Sequence, residues 1–308
     1  MLLLDKLQSE IIYFLFFSQV NSERRQKGQD KMKPKLLVAD IDGTLIEHGQ
    51  EFTEYTKDVI EHLRFQGMQF GLASGRPFEH MFGCSQKWGF SKEFDFFIGM
   101  NGAELFDTYS NEVYKFSMLK REDIKEIVDI MDQYECNGFV YEGADMYVQK
   151  IDDQATLSAI RNGILNYEVD DTFFYSKERA KLMFRFHDLC EVEKVEKHFS
   201  LHPSSRYCCF KTQANLIEFS NSKTNKIVAL RKYCQLHNIS LNDVIAAGDT
   251  SNDNEMLEAC GLGICLLNGS DDTKACADVV TELECKEDGL AHYLDKNIVC
   301  LFDFMKGE

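Results

Sequence analysis

From Lys35 onward the chain alternates short apolar runs with amphipathic segments, a pattern that commits it to a mostly parallel sheet with helices on its faces. LLVADID (36–42) predicts the first strand. Residues 53–66 set Tyr55, Val59 and Leu63 at helical spacing, so one face of that helix packs on the sheet. QFGLASGR (69–76) reads as the second strand, PFEHMFGCSQKWG (77–89) opens a helix with Pro77 in its first turn, and FFIGMNG (96–102) is a third strand. Far downstream the alternation resumes. A helix carrying Ile227, Leu230 and Cys234 leads to strand VIAAGD (244–249), helix NDNEMLEAC (252–260), strand GLGICLL (261–267) and helix DDTKACA (271–277). The chain leaves one sheet and returns to it.

Between these halves the pattern changes. Amphipathic segments around Ile124, Ile127 and Met131 and around Val192, Val195 and Phe199 are interleaved with extended stretches GFVYEG, DMYVQKI, KLMFRFH and RYCCFKT. The expected architecture is α/β, a Rossmann-like parallel core with an inserted α+β domain. Its expected division is an N-terminal extension at 1–33, core at 34–116, insertion at 117–214 and core again at 215–308. An insertion of this kind is either a second lobe without a role in the site or a cap that closes over it. Small-molecule sites concentrate between domains, which favours the cap.

Within the extension, IIYFLFF (11–17) is far shorter than a membrane span, and the charged run after it fits a signal peptide poorly. Met32, just before the first strand, is the expected functional start. A net charge of −17 gives no footprint for nucleic acid or an anionic membrane. The chain is large, its 11 cysteines are odd in number and no secretory signal is evident, so they read as reduced and mostly core, and without a CxxC they match no structural zinc pattern. The expected protein is cytoplasmic, a monomer or small homo-oligomer.

Ligands of open α/β sheets bind beyond the carboxyl ends of the strands, and three polar clusters fall there: DIDGT (40–44), SGR (74–76) and GDTSND (248–253). A buried carboxylate is costly unless compensated. Asp40, Asp42 and Asp249 would gather at one sheet edge, where hard oxygen ligands suit Mg²⁺, which would also accept a phosphate oxygen. One carboxylate would then face phosphorus while another moves a proton. Gly43 suits a sharp turn after the acids, and Thr44 could hydrogen-bond in that loop.

DIDGT, ASGR, a lysine opening a helix and GDTSND, in that order, resemble the four motifs of the haloacid dehalogenase superfamily of phosphohydrolases. NGAELFD (101–107) and the placement of the insertion further resemble its Cof-like branch with a C2-type cap. The resemblance covers about residues 34–298. It implies that Asp40 is the nucleophile, that Asp42 is the general acid/base and a Mg²⁺ ligand through its backbone carbonyl, and that Asp249 and Asp253 are metal positions. It implies further that Ser74 and Gly75 of the second motif and a lysine of the third bind phosphate. Lys223 and Lys226 both stand near the third motif, and Lys226 has the family spacing from Glu218. The chain departs from the family with Ile227 where Gly is common, and with GLGICLLNGS around Asn268.

Other residues carry open alternatives. Arg76 holds phosphate or is structural; Asn101 and Asn252 bind phosphate, orient the acids, or serve only as turn residues. The eight histidines form no HxH or HExxH grouping, and neither a full GxGxxG nor a Walker-type GxxxxGK occurs. The expected activity is Mg²⁺-dependent hydrolysis of a small phosphorylated metabolite, a sugar phosphate, through an aspartyl-phosphate. A phosphomutase and a weakly catalytic sugar-phosphate-binding regulator are the alternatives.

Overall fold

A computed structural model describes residues 34–47 and 49–299. The extension at 1–33, with Met32, lies outside the described residues, as do residues 300–308.

An eight-stranded sheet runs in the order β14-β13-β12-β1-β2-β3-β4-β5. Its strands are β1 (Leu36–Ala39), β2 (Gln69–Ala73), β3 (Phe96–Gly99), β4 (Glu104–Asp107), β5 (Glu112–Lys115), β12 (Val244–Gly248), β13 (Leu262–Cys265) and β14 (Val279–Val280). The six strands from β14 to β3 are parallel; β4 and β5 are antiparallel additions at one edge. The α/β expectation holds, with a mixed rather than a purely parallel sheet. NGAELFD and the following EVYK carry too little apolar alternation for β4 and β5 to be read as a hairpin from the sequence alone.

Both faces of the central strands are covered, which is why LLVA of β1 is apolar at every position and buried throughout. Leu37, Ala39, Phe70 and Leu72 pack on one face with Val59, Ile60 and Leu63 of the helix Glu54–Phe65. Leu36, Val38, Phe96 and Ile98 pack on the other with Leu230 and Tyr233 of the helix Lys226–Leu236. The Phe96 and Tyr233 rings stack with centroids 3.9 Å apart. Gly71 permits that ring, since a Cβ there would lie 2.2 Å from a Phe96 ring carbon. The helix expected after Pro77 is two single turns, Phe78–Met81 and Cys84–Lys87, parted at Gly83, whose φ of +79° no continuing helix tolerates.

A second sheet has the order β10-β11-β9-β6-β7-β8. It is built from β6 (Cys136–Glu142), β7 (Asp145–Val148), β8 (Asn166–Glu168), β9 (Lys181–Phe186), β10 (Tyr207–Gln213) and β11 (Leu216–Asn221). Helices Arg121–Met131 and Leu189–Leu201 supply Ile124, Ile127, Val192 and Val195 to a core of its own. This sheet runs past residue 214 to Asn221, because LIEFSN pairs antiparallel with both β9 and β10 rather than rejoining the first sheet. Two short connections join the sheets, and they are tied together: Thr224 Oγ1 donates to the Ser117 carbonyl at 3.2 Å and Asn221 Nδ2 to that of Met118 at 3.1 Å.

Candidate active site

The parallel register carries β1 and β12 side by side, so Asp40 and Asp249 leave the sheet at adjacent strand ends. The Asp40 amide donates to the Ala247 carbonyl at 3.0 Å, which fixes the chain as it turns out of the sheet. Beyond it, the Ile41 carbonyl accepts from the amides of Leu45 and Ile46 at 3.0 Å, so the loop closes tightly. Gly43, at φ +90°, makes that closure possible: a Cβ there would stand 2.4 Å from Asp249 Oδ2. Thr44 Oγ1 donates to Asp249 Oδ1 at 3.0 Å. Asn268 Nδ2 donates to the Gly43 carbonyl at 2.8 Å and Asn268 Oδ1 accepts from the Cys285 amide at 2.7 Å, so this departure from the family pattern still braces the loop.

Lys226, fully buried in the first turn of a helix capped by Asn225, reaches the acids; the exposed Lys223 does not. Its Nζ donates to Asp40 Oδ1 and to Asp253 Oδ1, both at 2.6 Å. The other Asp253 oxygen accepts from the amides of Asp249 and Thr250 at 3.1 and 3.3 Å. Burial drives the Asp40 carboxyl up to about 7 against the pull of Lys226, with Asp253 and Asp249 adding repulsion. Burial lowers the proton affinity of Lys226, but Asp253 and Asp40 outweigh it and the shift is upward. Asp40, Asp249 and Asp253 each present an oxygen within 4.8 Å of the others. This all-oxygen cluster can hold a divalent metal ion, and three acids around one lysine leave negative charge for an ion to offset.

The Asp42 side chain stands apart from that cluster. Arg76 takes it in a two-pronged grip, Nε to Oδ2 at 3.0 Å and Nη2 to Oδ1 at 2.5 Å. Arg76 was open between phosphate binding and structure; here its fork fixes a carboxylate. Ser74, buried at the end of β2, accepts at Oγ from the Arg76 amide at 3.3 Å, and its carbonyl accepts from the Asn101 amide at 3.0 Å. Asn101 adopts φ +57° and accepts at Oδ1 from Asn252 Nδ2 at 3.2 Å, linking the third strand end to the GDTSND loop. Gly75 lies beside this amide, with 3.0 Å between Asn101 Oδ1 and the point where a Gly75 Cβ would stand.

Two charged residues near the site were given no role by the sequence reading, in which Glu218 served only to set the spacing of Lys226. Lys181 on β9 and Glu218 on β11 form a buried pair at 2.8 Å, and Lys181 Nζ lies 3.5 Å from the Gly75 Cβ position. KLMFRFH and LIEFSN look like ordinary strands, and only their pairing sets the two charges side by side.

An α/β fold with an acidic, lysine-braced cluster at its carboxyl edge suits metal-assisted chemistry on a phosphate ester, and known proteins share the fold. The family model of haloacid dehalogenase-like hydrolases matches residues 37–294, and the chain belongs to that family. A Bacillus subtilis 5-amino-6-(5-phospho-D-ribitylamino)uracil phosphatase is 26% identical over 265 residues, covering 85% of this chain and 97% of its own. A Bacteroides thetaiotaomicron haloacid dehalogenase-like hydrolase superposes with TM-score 0.75 at 24% identity, over 86% of this chain and 99% of that one. A Thermotoga maritima structure gives TM-score 0.75 at 22% identity, over 85% and 97%. The protein is a haloacid dehalogenase-like hydrolase with an aspartate-centred cluster able to hold a divalent metal ion. Among the described residues no helix is long and apolar enough to cross a membrane.

Proposed function

We propose that the protein is a Mg²⁺-dependent phosphatase that hydrolyses a sugar phosphate through an aspartyl-phosphate on Asp40. The buried cluster of Asp40, Asp249, Asp253 and Lys226 carries this reading. A carboxylate oxygen of Asp40 attacks phosphorus, the bond to the leaving oxygen breaks, and Asp42 gives that oxygen its proton. Asp42 then takes a proton from water as the water attacks the acyl phosphate, freeing inorganic phosphate and restoring Asp40. Lys226, the Ser74 hydroxyl, the Gly75 amide and Asn252 offset and orient the phosphoryl oxygens. Arg76 keeps Asp42 aimed. Mg²⁺ would be held by Asp40, Asp249, Asp253 and the Asp42 carbonyl, and when bound it supplies positive charge to the phosphoryl group.

The second sheet acts as a C2-type cap, as in the Cof-like branch, with its border drawn at Asn221 because β11 belongs to it. The name of the Bacillus subtilis relative, a phosphatase of a phosphorylated ribityl compound, supports a carbohydrate-like leaving group.

Rapid-quench and phosphate-release assays test the reading. Excess chelator should abolish release and Mg²⁺ restore it; full activity in chelator rejects the metal. Asp40→Asn should form no phosphoenzyme. Asp42→Asn should give a burst of phenol from an aryl phosphate, then slow turnover, with phosphate on the peptide containing Asp40. Phosphate trapped on Asp42, or in Asp40→Asn, reverses the assigned roles.

A further inference from the structure

Lys181 is only 5% exposed and its partner Glu218 only 7%, yet the Lys181 ammonium lies 3.5 Å from the Gly75 Cβ position, where the second sheet faces the catalytic loop of the first. Register explains the pair: Lys181 on β9 stands opposite Ser220 on β11, one pair from Leu182 and Phe219, and its long side chain reaches Glu218. Glu218 Oε1 also accepts from Thr212 Oγ1 at 3.1 Å, which holds the carboxylate. The facing sheets are seated here by further contacts. His80, in the helical turn after Arg76, is hydrogen-bonded to the Ala144 carbonyl at 2.6 Å and meets the Tyr141 ring edge-on at 5.1 Å.

An ammonium has three N–H donors, and a carboxylate oxygen has two lone pairs. The contact with Glu218 uses one donor of Lys181 and one lone pair of Oε2. A buried group with unused hydrogen-bonding capacity is costly unless a ligand or water completes it. The other cations of this strand region point elsewhere: Arg179 and Lys177 both grip Glu142, and Arg185 donates to the Gln154 carbonyl at 3.3 Å over the Phe139 ring. Lys181 is therefore the cation of β9 turned toward Gly75.

Resting on the phosphatase reading above, we propose that Lys181 and Glu218 together read a pair of adjacent hydroxyl groups on the leaving group, making the substrate a polyol phosphate rather than a compact or doubly anionic ester. The pair is a donor and an acceptor 2.8 Å apart, which matches one hydroxyl accepting from the ammonium and its neighbour donating to the carboxylate. Its charges cancel, so it has no surplus with which to hold a second phosphate or carboxylate. A site built around hydroxyl contacts rejects an analogue that lacks them far more strongly than an apolar pocket rejects a missing methylene.

Steady-state kinetics with Mg²⁺ on three probes test this: sorbitol 6-phosphate, n-hexyl phosphate and p-nitrophenyl phosphate. Wild type should prefer sorbitol 6-phosphate to n-hexyl phosphate at least about tenfold in kcat/KM. Lys181→Met should erase that preference and leave p-nitrophenyl phosphate turnover within about threefold of wild type, a split that a structural role would not produce. If the single substitution unfolds the protein by circular dichroism, Lys181→Met with Glu218→Met removes both charges and carries the same expectation. A preference that survives substitution, or equal losses on all three probes, overturns the proposal. So does a wild type that hydrolyses p-nitrophenyl phosphate without distinguishing the two alkyl esters. A wild type inactive on every probe overturns the phosphatase mechanism instead.

Discussion

Two buried lysines, one in each sheet, make a comparison within a single molecule. Lys226 lies between two acids and close to a third, so its surroundings carry excess negative charge and its proton is held tightly. Lys181 is hydrogen-bonded to a single acid, Glu218, whose charge balances its own, and Glu104 acts on it only from further off. The excess around Lys226 suits a place where a cation and a phosphoryl group must enter. The balance around Lys181 suits recognition of uncharged groups. Burial is similar in both, and the count of carboxylates separates the two roles.

Substituting the first lysine should therefore damage chemistry on every substrate. Lys226→Met is expected to lower kcat for p-nitrophenyl phosphate by about 10³-fold, since it removes a preorganised charge from the transferring group. A loss confined to sorbitol 6-phosphate would erase the contrast with Lys181.

Stability sharpens it next. Removing one partner from a buried ion pair costs about 3–5 kcal/mol because the other charge is stranded. Lys181→Met should fall in that range by urea denaturation, and adding Glu218→Met should recover most of it. If the double variant is no more stable than the single one, Glu218 is not the stranded charge.

Glu104 extends the comparison to a carboxylate that Lys115 and Lys181 reach only through space, without a hydrogen bond. It lines a cavity of about 270 Å³ between the sheets, and its Oε2 is buried with no hydrogen-bond partner. Burial, and then repulsion from Glu79, raise its carboxyl from 4.5 to about 7. The folded state thus binds the proton more tightly than the unfolded chain, and stability is lost as pH rises from about 4.5 through about 7. Glu104→Gln should stabilise the protein by up to about 3 kcal/mol at pH 8 and by little at pH 4. Equal effects at both pH values would show that the folded protein does not hold that proton.

Arg76 gives the smallest expected effect. Arg76→Gln should lower kcat by about tenfold with KM little changed, because it aims Asp42 rather than binding charge. A rise in KM alone would assign Arg76 to phosphate instead.

Much of this site could be read in the chain. Asp40, Asp42 and Asp249 announce themselves because a carboxylate at the end of a buried strand needs a compensating partner. Ser74 stands at a strand end, which local pattern marks well, whereas Lys226 was preferred to Lys223 only through its spacing from Glu218 in the family resemblance. The first sheet was least legible at the antiparallel hairpin, where β4 is buried but places a charge at each end of a four-residue strand and β5 is largely exposed, so the apolar signal is weak. The border near 214 was not legible either, since LIEFSN fits either sheet by composition and its hydrogen-bonding partners alone decide between them.

By itself the sequence determined the layered α/β architecture and the order of the acids along one sheet edge, because apolar periodicity and buried charge are local properties of the chain. Only the tertiary structure decided which lysine meets Asp40, that Arg76 grips Asp42 across 34 residues, and that Lys181 meets Glu218 across 37. Those pairings depend on strand register and on how one sheet seats against the other. A strand pattern states which face is buried, not which charge on a distant strand will lie opposite it.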